Sequence, residues 1–164
     1  MRKRLAIFDV DGTLMNVNHR RHHVSGQDKD WGAFFDAIEF DTMNDYVFHM
    51  AHALIADGYD IIVVSGRNEK HRAITEKQLA FGKLPYSELI MRPDNNYEPD
   101  FVFKKSVLDA LVEADLKPQF AVDDRPSVVQ MWRENNVPCF DVSKVSKTTS
   151  YLTSTNSIVI IIND

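Results

Sequence analysis

The chain has 164 residues, 44% hydrophobic, 10% aromatic and 26% charged, the proportions of one compact globular domain with its own core. Nineteen Lys and Arg stand against 24 Asp and Glu, a formal charge of -5. That excludes a surface that coats nucleic acid over its whole extent and leaves room for a local basic patch. The single cysteine, Cys139, excludes an intramolecular disulfide and fits a reducing, cytoplasmic setting.

The start is basic, but Asp9 cuts off the apolar stretch at 5–8, so the pattern predicts a strand over 5–10 rather than a secretory signal. Residues 15–43 are rich in His, Arg and Asp, with Trp31, Phe34, Phe35 and Ile38 at i, i+3, i+4, i+7 spacing. They read as a loop or short flap plus one amphipathic helix whose aromatics pack onto the body, the alternative being that Trp31, Phe34 and Phe35 form a stacking platform for a nucleobase. A helix opening near Asn44 places Val47, Ala51, Leu54 and Ile55 on one face and stops at Gly58, a left-handed cap. His49 and His52 on this helix need no function. A strand over 60–64 runs into Ser65-Gly66-Arg67, a helix from about 69 to 81 ends at Gly82, and a strand covers 88–91.

A third helix starts behind Pro99-Asp100 with Val102, Leu108, Leu111 and Val112 inward, and a strand over 119–122 leads into Asp123-Asp124. A fourth helix follows Arg125-Pro126, where proline is tolerated in the first turn. The last strand covers 138–142, with Trp132, Cys139 and Phe140 read as core. Residues 1–142 thus form the domain, and 143–164 a polar tail of Ser, Thr and Lys ending in the apolar run 158–162. That run is either an added edge strand or an aggregation-prone end, and it is far short of the roughly 20 residues that cross a bilayer.

Strand and helix in alternation predict an α/β fold with a doubly wound, mostly parallel sheet, a short flap and no large cap domain. Ligands in such a sheet bind outside the carboxyl ends of the strands. Asp9-Val10-Asp11-Gly12-Thr13, Ser65-Gly66-Arg67 and Asp123-Asp124-Arg125 lie at three such ends, with Asp100 and Lys104 at the start of a helix. Alone, each is an ordinary turn, cap or solvated charge. Together, and in this order, they face one rim, which four independent caps would not require.

In order, Asp9-x-Asp11-Gly12-Thr13, Ser65, Lys104 and Asp123-Asp124 resemble the four motifs of the haloacid dehalogenase (HAD) superfamily of phosphohydrolases, over residues 5–142. Within it, Arg20, Ser65-Gly66-Arg67, Asp100 before Lys104, and Val122-Asp123-Asp124-Arg125 resemble the 3′-phosphatase half of bacteriophage-type polynucleotide kinase/phosphatase. The resemblance implies a Rossmann-like HAD core and a magnesium-dependent phosphomonoesterase working through an aspartyl-phosphate. It makes Asp9 nucleophile and metal ligand, and Asp11 general acid and base, a role suited to a carboxyl that holds a proton near neutral pH. Magnesium would be held by Asp9, one or both of Asp123 and Asp124, and the Asp11 backbone carbonyl.

Ser65, Gly66, Lys104 and the amides of the Asp9–Asp11 loop would meet the phosphoryl oxygens. Arg20 and Arg67 would add a second fork on the phosphate or a neighbouring nucleotide, Thr13 would join them in binding substrate while buttressing the turn, and Asp100 would orient Lys104 or an arginine. The segment His19-Arg20-Arg21-His22-His23 reads as a phosphate-attracting flap rather than a second metal site. No phosphate-binding Gly-x-x-x-x-Gly-Lys-Ser/Thr motif occurs, so no kinase half is expected. The expected substrate is a 3′-phosphorylated DNA or RNA end. The alternatives are a mononucleotide or small-metabolite phosphatase and a non-catalytic magnesium-binding regulatory module.

Overall fold

In the computed structural model, which describes residues 4–145, β1 (Arg4–Phe8) leads into an insert. The insert comprises β2 (Met15–Asn16), a 3-10 helix (Asn18–Val24), α1 (Trp31–Asp36), a second 3-10 turn (Ala37–Phe40) and β3 (Thr42–Met43). There follow α2 (Asp45–Ala56), β4 (Tyr59–Asn68), a 3-10 turn (Glu69–His71), α3 (Arg72–Phe81) and β5 (Glu88–Arg92). The last elements are α4 (Asp100–Glu113), β6 (Phe120–Asp123), α5 (Pro126–Glu134) and β7 (Cys139–Asp141).

Five strands form one sheet in the order β5-β4-β1-β6-β7, every pair parallel, so the chain winds outward from β1 in both directions. Alternation along β1 divides the core. Ala6 and Phe8 pack with Val47, Phe48, Ala51 and Leu79 of α2 and α3, while Leu5 and Ile7 pack with Phe103, Val107, Leu111 and Trp132 of α4 and α5. A sheet covered on both faces explains why its strands read as near-continuous apolar runs. This is the doubly wound parallel architecture expected from the sequence, without a large cap among the described residues.

The insert differs from a loop carrying one helix. β2 and β3 pair antiparallel, Met15 opposite Met43, and close it at its base. Asn44 holds the closure by donating its side-chain amide to the Thr13 carbonyl and its backbone N–H to Leu14.

The inward face of α4 also differs from the expected set. Phe103, Lys104, Val107, Leu108 and Leu111 are buried and Val112 is exposed, because the buried lysine belongs to the core-facing stripe. Trp132 is fully buried, but Phe140 is 55% exposed. Among the described residues β7 is an edge strand, and Phe140 meets Phe120 edge-on rather than entering the core.

Gly58 takes the left-handed conformation at φ 83°, as its place after α2 predicts. Gly82 does not; there the Phe48 ring occupies the space a Cβ would need. The first three residues and 146–164, including the isoleucine run, lie outside the described residues. No described helix is long and apolar enough to cross a membrane.

Candidate active site

The turn after β1 is tied down by its own backbone. Asp9 donates its N–H to Val122, Gly12 to Met15 at 2.7 Å, and Met15 to Val10 at 2.8 Å. Gly12 sits at φ 86°, and a Cβ there would run into the Asp124 carboxylate and the Arg21 guanidinium. Glycine is therefore what lets Asp124 close over the turn.

Asp123 ends β6 and Asp124 follows it. With Asp9 they form a buried trio whose carboxylate oxygens lie within 4.8 Å of one another. Lys104 rises from α4 to bond Asp9 Oδ1 at 2.7 Å and Asp123 Oδ2 at 2.8 Å. Arg21, from the insert, bonds Asp124 at 2.5 Å.

Burial, together with the charges of Asp123, Asp124 and Asp100, pushes the Asp9 carboxyl well above the usual carboxylate range, although Lys104 pulls the other way. Burial and Asp123 likewise raise Asp124 against the pull of Arg21. Burial opposes the charge of Lys104, but Asp100, Asp123 and Asp9 outweigh it and hold the ammonium well above its ordinary value. Three buried carboxylates in mutual contact form an oxygen-only set, the donor type a hard divalent cation such as magnesium prefers, so the residues fit that ion.

A second cluster adjoins the first. Arg20 forks onto Asp41 at 2.6 and 2.7 Å and reaches Asp11 at 2.8 Å. Arg67 also holds both, Asp11 Oδ1 at 2.8 Å and Asp41 Oδ2 at 2.6 Å, and its remaining nitrogen donates to Thr75 and Gln78. Both arginines are fully buried. Burial alone would raise Asp11, but Arg67 and Arg20 outweigh it and hold its carboxyl below the ordinary range. Asp41 is raised, burial and the nearby Asp11 outweighing its arginine partners.

The structure corrects several sequence expectations. Arg20 and Arg67 are not free forks reaching toward substrate, because their donors are taken by Asp11, Asp41 and neighbouring oxygens. Asp11 is not in an environment that favours a proton, since two guanidiniums face it, and its carboxylate stands outside the trio. Thr13 is fully buried with no partner for its hydroxyl among the described residues, so it packs the turn rather than meeting a ligand.

Ser65 is buried at the carboxyl-side half of β4, where its hydroxyl accepts the Arg67 N–H at 3.2 Å. Gly66 lines the open cavity, and a Cβ on it would strike the Asp100 carboxylate. Asp100 bonds Arg92 at 2.8 Å and lies 3.5 Å from Lys104 and 3.6 Å from Arg125. In the histidine-rich segment, His19 contacts the Ala37 carbonyl, and the trio of carboxylates contains no histidine. Cys139 is buried, and burial pushes its thiol up to about 12.

The sequence reading misses two residues of the site and gives a third, Arg125, no role. Asp41 carried no signal, because it lies in the insert away from any strand end. Arg92 was legible: it is the last residue of β5, the strand end that went unread, and it donates to the Gly66 and Glu98 carbonyls as well as to Asp100. Arg125 stood beside the Asp123-Asp124 pair and lines the cavity with a side chain about half exposed.

Solved structures share this frame. A putative β-phosphoglucomutase from Thermotoga maritima superposes with a TM-score of 0.61 at 13% identity, over 84% of each chain, a likeness of fold alone. A structure of a Pnkp1/Rnl/Hen1 complex matches with a TM-score of 0.73 at 33% identity, covering 86% of this chain and 46% of that one. A second structure of that complex gives 0.72 and 32%, covering 86% and 42%. The chain thus spans less than half the length of those two relatives.

Fold, site and these matches define the class: an enzyme, a phosphatase of the HAD superfamily. The chain belongs to the family of the polynucleotide kinase PNKP phosphatase domain, which it matches over residues 3–146.

Proposed function

We propose that the protein is a magnesium-dependent phosphomonoesterase that removes 3′-phosphate from polynucleotide ends through an aspartyl-phosphate on Asp9. The observation that carries this reading is the buried carboxylate trio with Lys104 bonded to two of its members. A phosphate ester resists attack because its oxygens repel the nucleophile, so charge must be neutralised and the reactants aligned. Magnesium would supply that positive charge, and Asp9, Asp123, Asp124 and the Asp11 backbone carbonyl would hold it.

Asp9 attacks phosphorus through a carboxylate oxygen, forming a P–O bond to Asp9 as the ester P–O bond breaks. The leaving alkoxide takes the proton of Asp11. Asp11, now ionised, takes a proton from a water whose oxygen attacks phosphorus; the bond to Asp9 breaks and inorganic phosphate leaves. Arg20 and Arg67 act through Asp11, fixing its position. The charge of an arriving phosphate opposes theirs and favours the protonated acid. Lys104 keeps Asp9 in place and faces the developing charge, with Ser65 and the amides of the Asp9–Asp11 loop as neutral donors to the phosphoryl oxygens.

Family membership and a cavity free of a large cap support a polymer end as substrate, and one matched structure is of an RNA repair complex. The net charge of -5 favours the rival reading, a phosphatase of mononucleotides or other small esters. The test is magnesium-dependent phosphate release from matched 3′- and 5′-phosphorylated oligonucleotides, 3′- and 5′-mononucleotides and a sugar phosphate. Preference for the 3′-phosphorylated oligonucleotide, with a steep fall of affinity in salt, is expected; preference for small esters with a shallow salt dependence would overturn the polynucleotide assignment.

A further inference from the structure

One cavity of about 610 Å³ holds both Asp9 and Asp11, and part of its wall is aromatic: Trp31 and Phe35 from α1 and His71 from the turn before α3. That volume lies in the range of small-molecule sites and leaves room for more than a phosphoryl group. The aromatic wall is ordered. Phe35 stacks on His71 at 4.9 Å with 19° between planes, and Trp31 continues the row at 6.2 Å and 29°.

The packing role that the i, i+3, i+4, i+7 spacing predicts falls mainly to other members of the set, with Phe35 adding its stack on His71. Phe34 and Ile38 are buried, and the Arg20 guanidinium lies over the Phe34 ring at 4.1 Å. Trp31 meets the buried Phe34 edge-on at 5.7 Å and stays 47% exposed. His71 is held below its ordinary pKa by burial and by Lys70 and Arg67, so at neutral pH it extends the row as an uncharged ring. Its Nε2 is buried with no partner among the described residues.

We propose that the Trp31–Phe35–His71 wall is a stacking platform for the nucleobase of the nucleotide whose phosphate is removed. The proposal rests on the reading of the substrate as a phosphorylated nucleic-acid end and names what recognises its terminal nucleoside. Aromatic faces take any base, so the platform confers affinity for nucleotides as a class and no preference among bases. The same cavity brings Tyr97, 88% exposed, and Arg125 to its lining, so the rest of the nucleotide meets polar and cationic groups.

The experiment compares two oligonucleotides alike except at the 3′-phosphorylated end, where one carries a base and the other an abasic residue. The unaltered enzyme should show a KM about tenfold lower for the base-bearing end, the scale of one base on an aromatic platform. In the Trp31→Ala/Phe35→Ala variant that ratio should collapse to about one, and Trp31→Phe should restore most of it. A ratio near one in the unaltered enzyme, or a tenfold ratio surviving in the double variant, overturns the platform.

If neither oligonucleotide is hydrolysed but a 3′-nucleotide is, the polynucleotide reading fails. The platform is then judged by the same ratio between the nucleotide and ribose 3-phosphate. Binding gives a second readout. In the inert Asp9→Asn variant, a base-bearing ligand should quench emission from exposed Trp31, since Trp132 is fully buried, and the abasic ligand should not. Equal quenching by both ligands would also overturn the platform.

Discussion

Two clusters of carboxylates and cations meet at the edge of the sheet, built from the same chemical groups and balanced differently. Around Asp11 and Asp41, two carboxylates face two fully buried guanidiniums, and nearly every donor is satisfied within the protein. Around Asp9, three carboxylates meet one buried ammonium and the half-exposed Arg21, with Asp100 competing for Lys104. The first arrangement is closed, a frame that fixes geometry. The second sets three carboxylates in direct contact, an oxygen donor set for an additional cation, and burial together with those neighbouring charges leaves Asp9 raised where Asp11 is lowered.

The largest effect should come from the open cluster. Asp9→Asn keeps the shape of the site and removes the attacking oxygen, so turnover should fall by roughly a thousandfold or more. A variant within tenfold of the unaltered rate would end the covalent mechanism. In the closed cluster the same change is chiefly structural. Asp41→Asn leaves two buried guanidiniums facing one carboxylate, and breaking such a pair costs about 3 kcal/mol or more. A fall of about 10 °C in Tm is expected for a domain of this length; an unchanged melting temperature would mean that the closed cluster is not a frame.

The contrast explains what the sequence disclosed. Asp9, Asp11, Ser65 and Asp123 were legible because strand periodicity and turn residues mark the carboxyl ends of strands, and that edge is where a parallel sheet collects its chemistry. Arg92 obeys the same rule and was missed only because its strand was read one residue short. Asp41 could not be read, since the antiparallel pairing of Met15 with Met43 is what returns the insert to the site. Nor does an arginine in sequence reveal whether its fork will meet a ligand or the protein's own carboxylate. Arg20 and Arg67 were taken for the first and are the second. Phe140 shows the converse error, an apolar strand residue read as core that lies half-exposed on the outermost strand among the described residues.

A cation should act on the open cluster alone. Magnesium at about a hundred times its dissociation constant should add roughly 2.7 kcal/mol to stability, and Asp123→Asn or Asp124→Asn should abolish most of the gain. The same cluster fixes a pH dependence. The folded-state pKa of Asp9 is raised above its unfolded value, so its contribution is fully present below about pH 4 and is lost as pH rises through the folded value. Asn at this position never ionises. In a chelator, the Tm of Asp9→Asn relative to the unaltered protein should therefore be higher at pH 7 than at pH 4. A gap that widens on acidification would show that Lys104, not burial, governs Asp9.

The smallest effect tests the reach of the open cluster into the core behind it. Cys139 lies in β7, paired beside β6, and Asp123 is the second cause, after burial, of a thiol pushed up to about 12. A thiol with that pKa is almost wholly protonated at pH 8, and the thiolate is the form that reacts. Iodoacetamide should leave Cys139 unmodified in the folded protein over hours and label it within minutes in denaturant. Burial accounts for most of the shift, so Asp123→Asn should speed labelling of the folded protein only slightly. Fast labelling of the unaltered protein would mean that β7 opens, and the Asp9 cluster beside it would then be partly solvated.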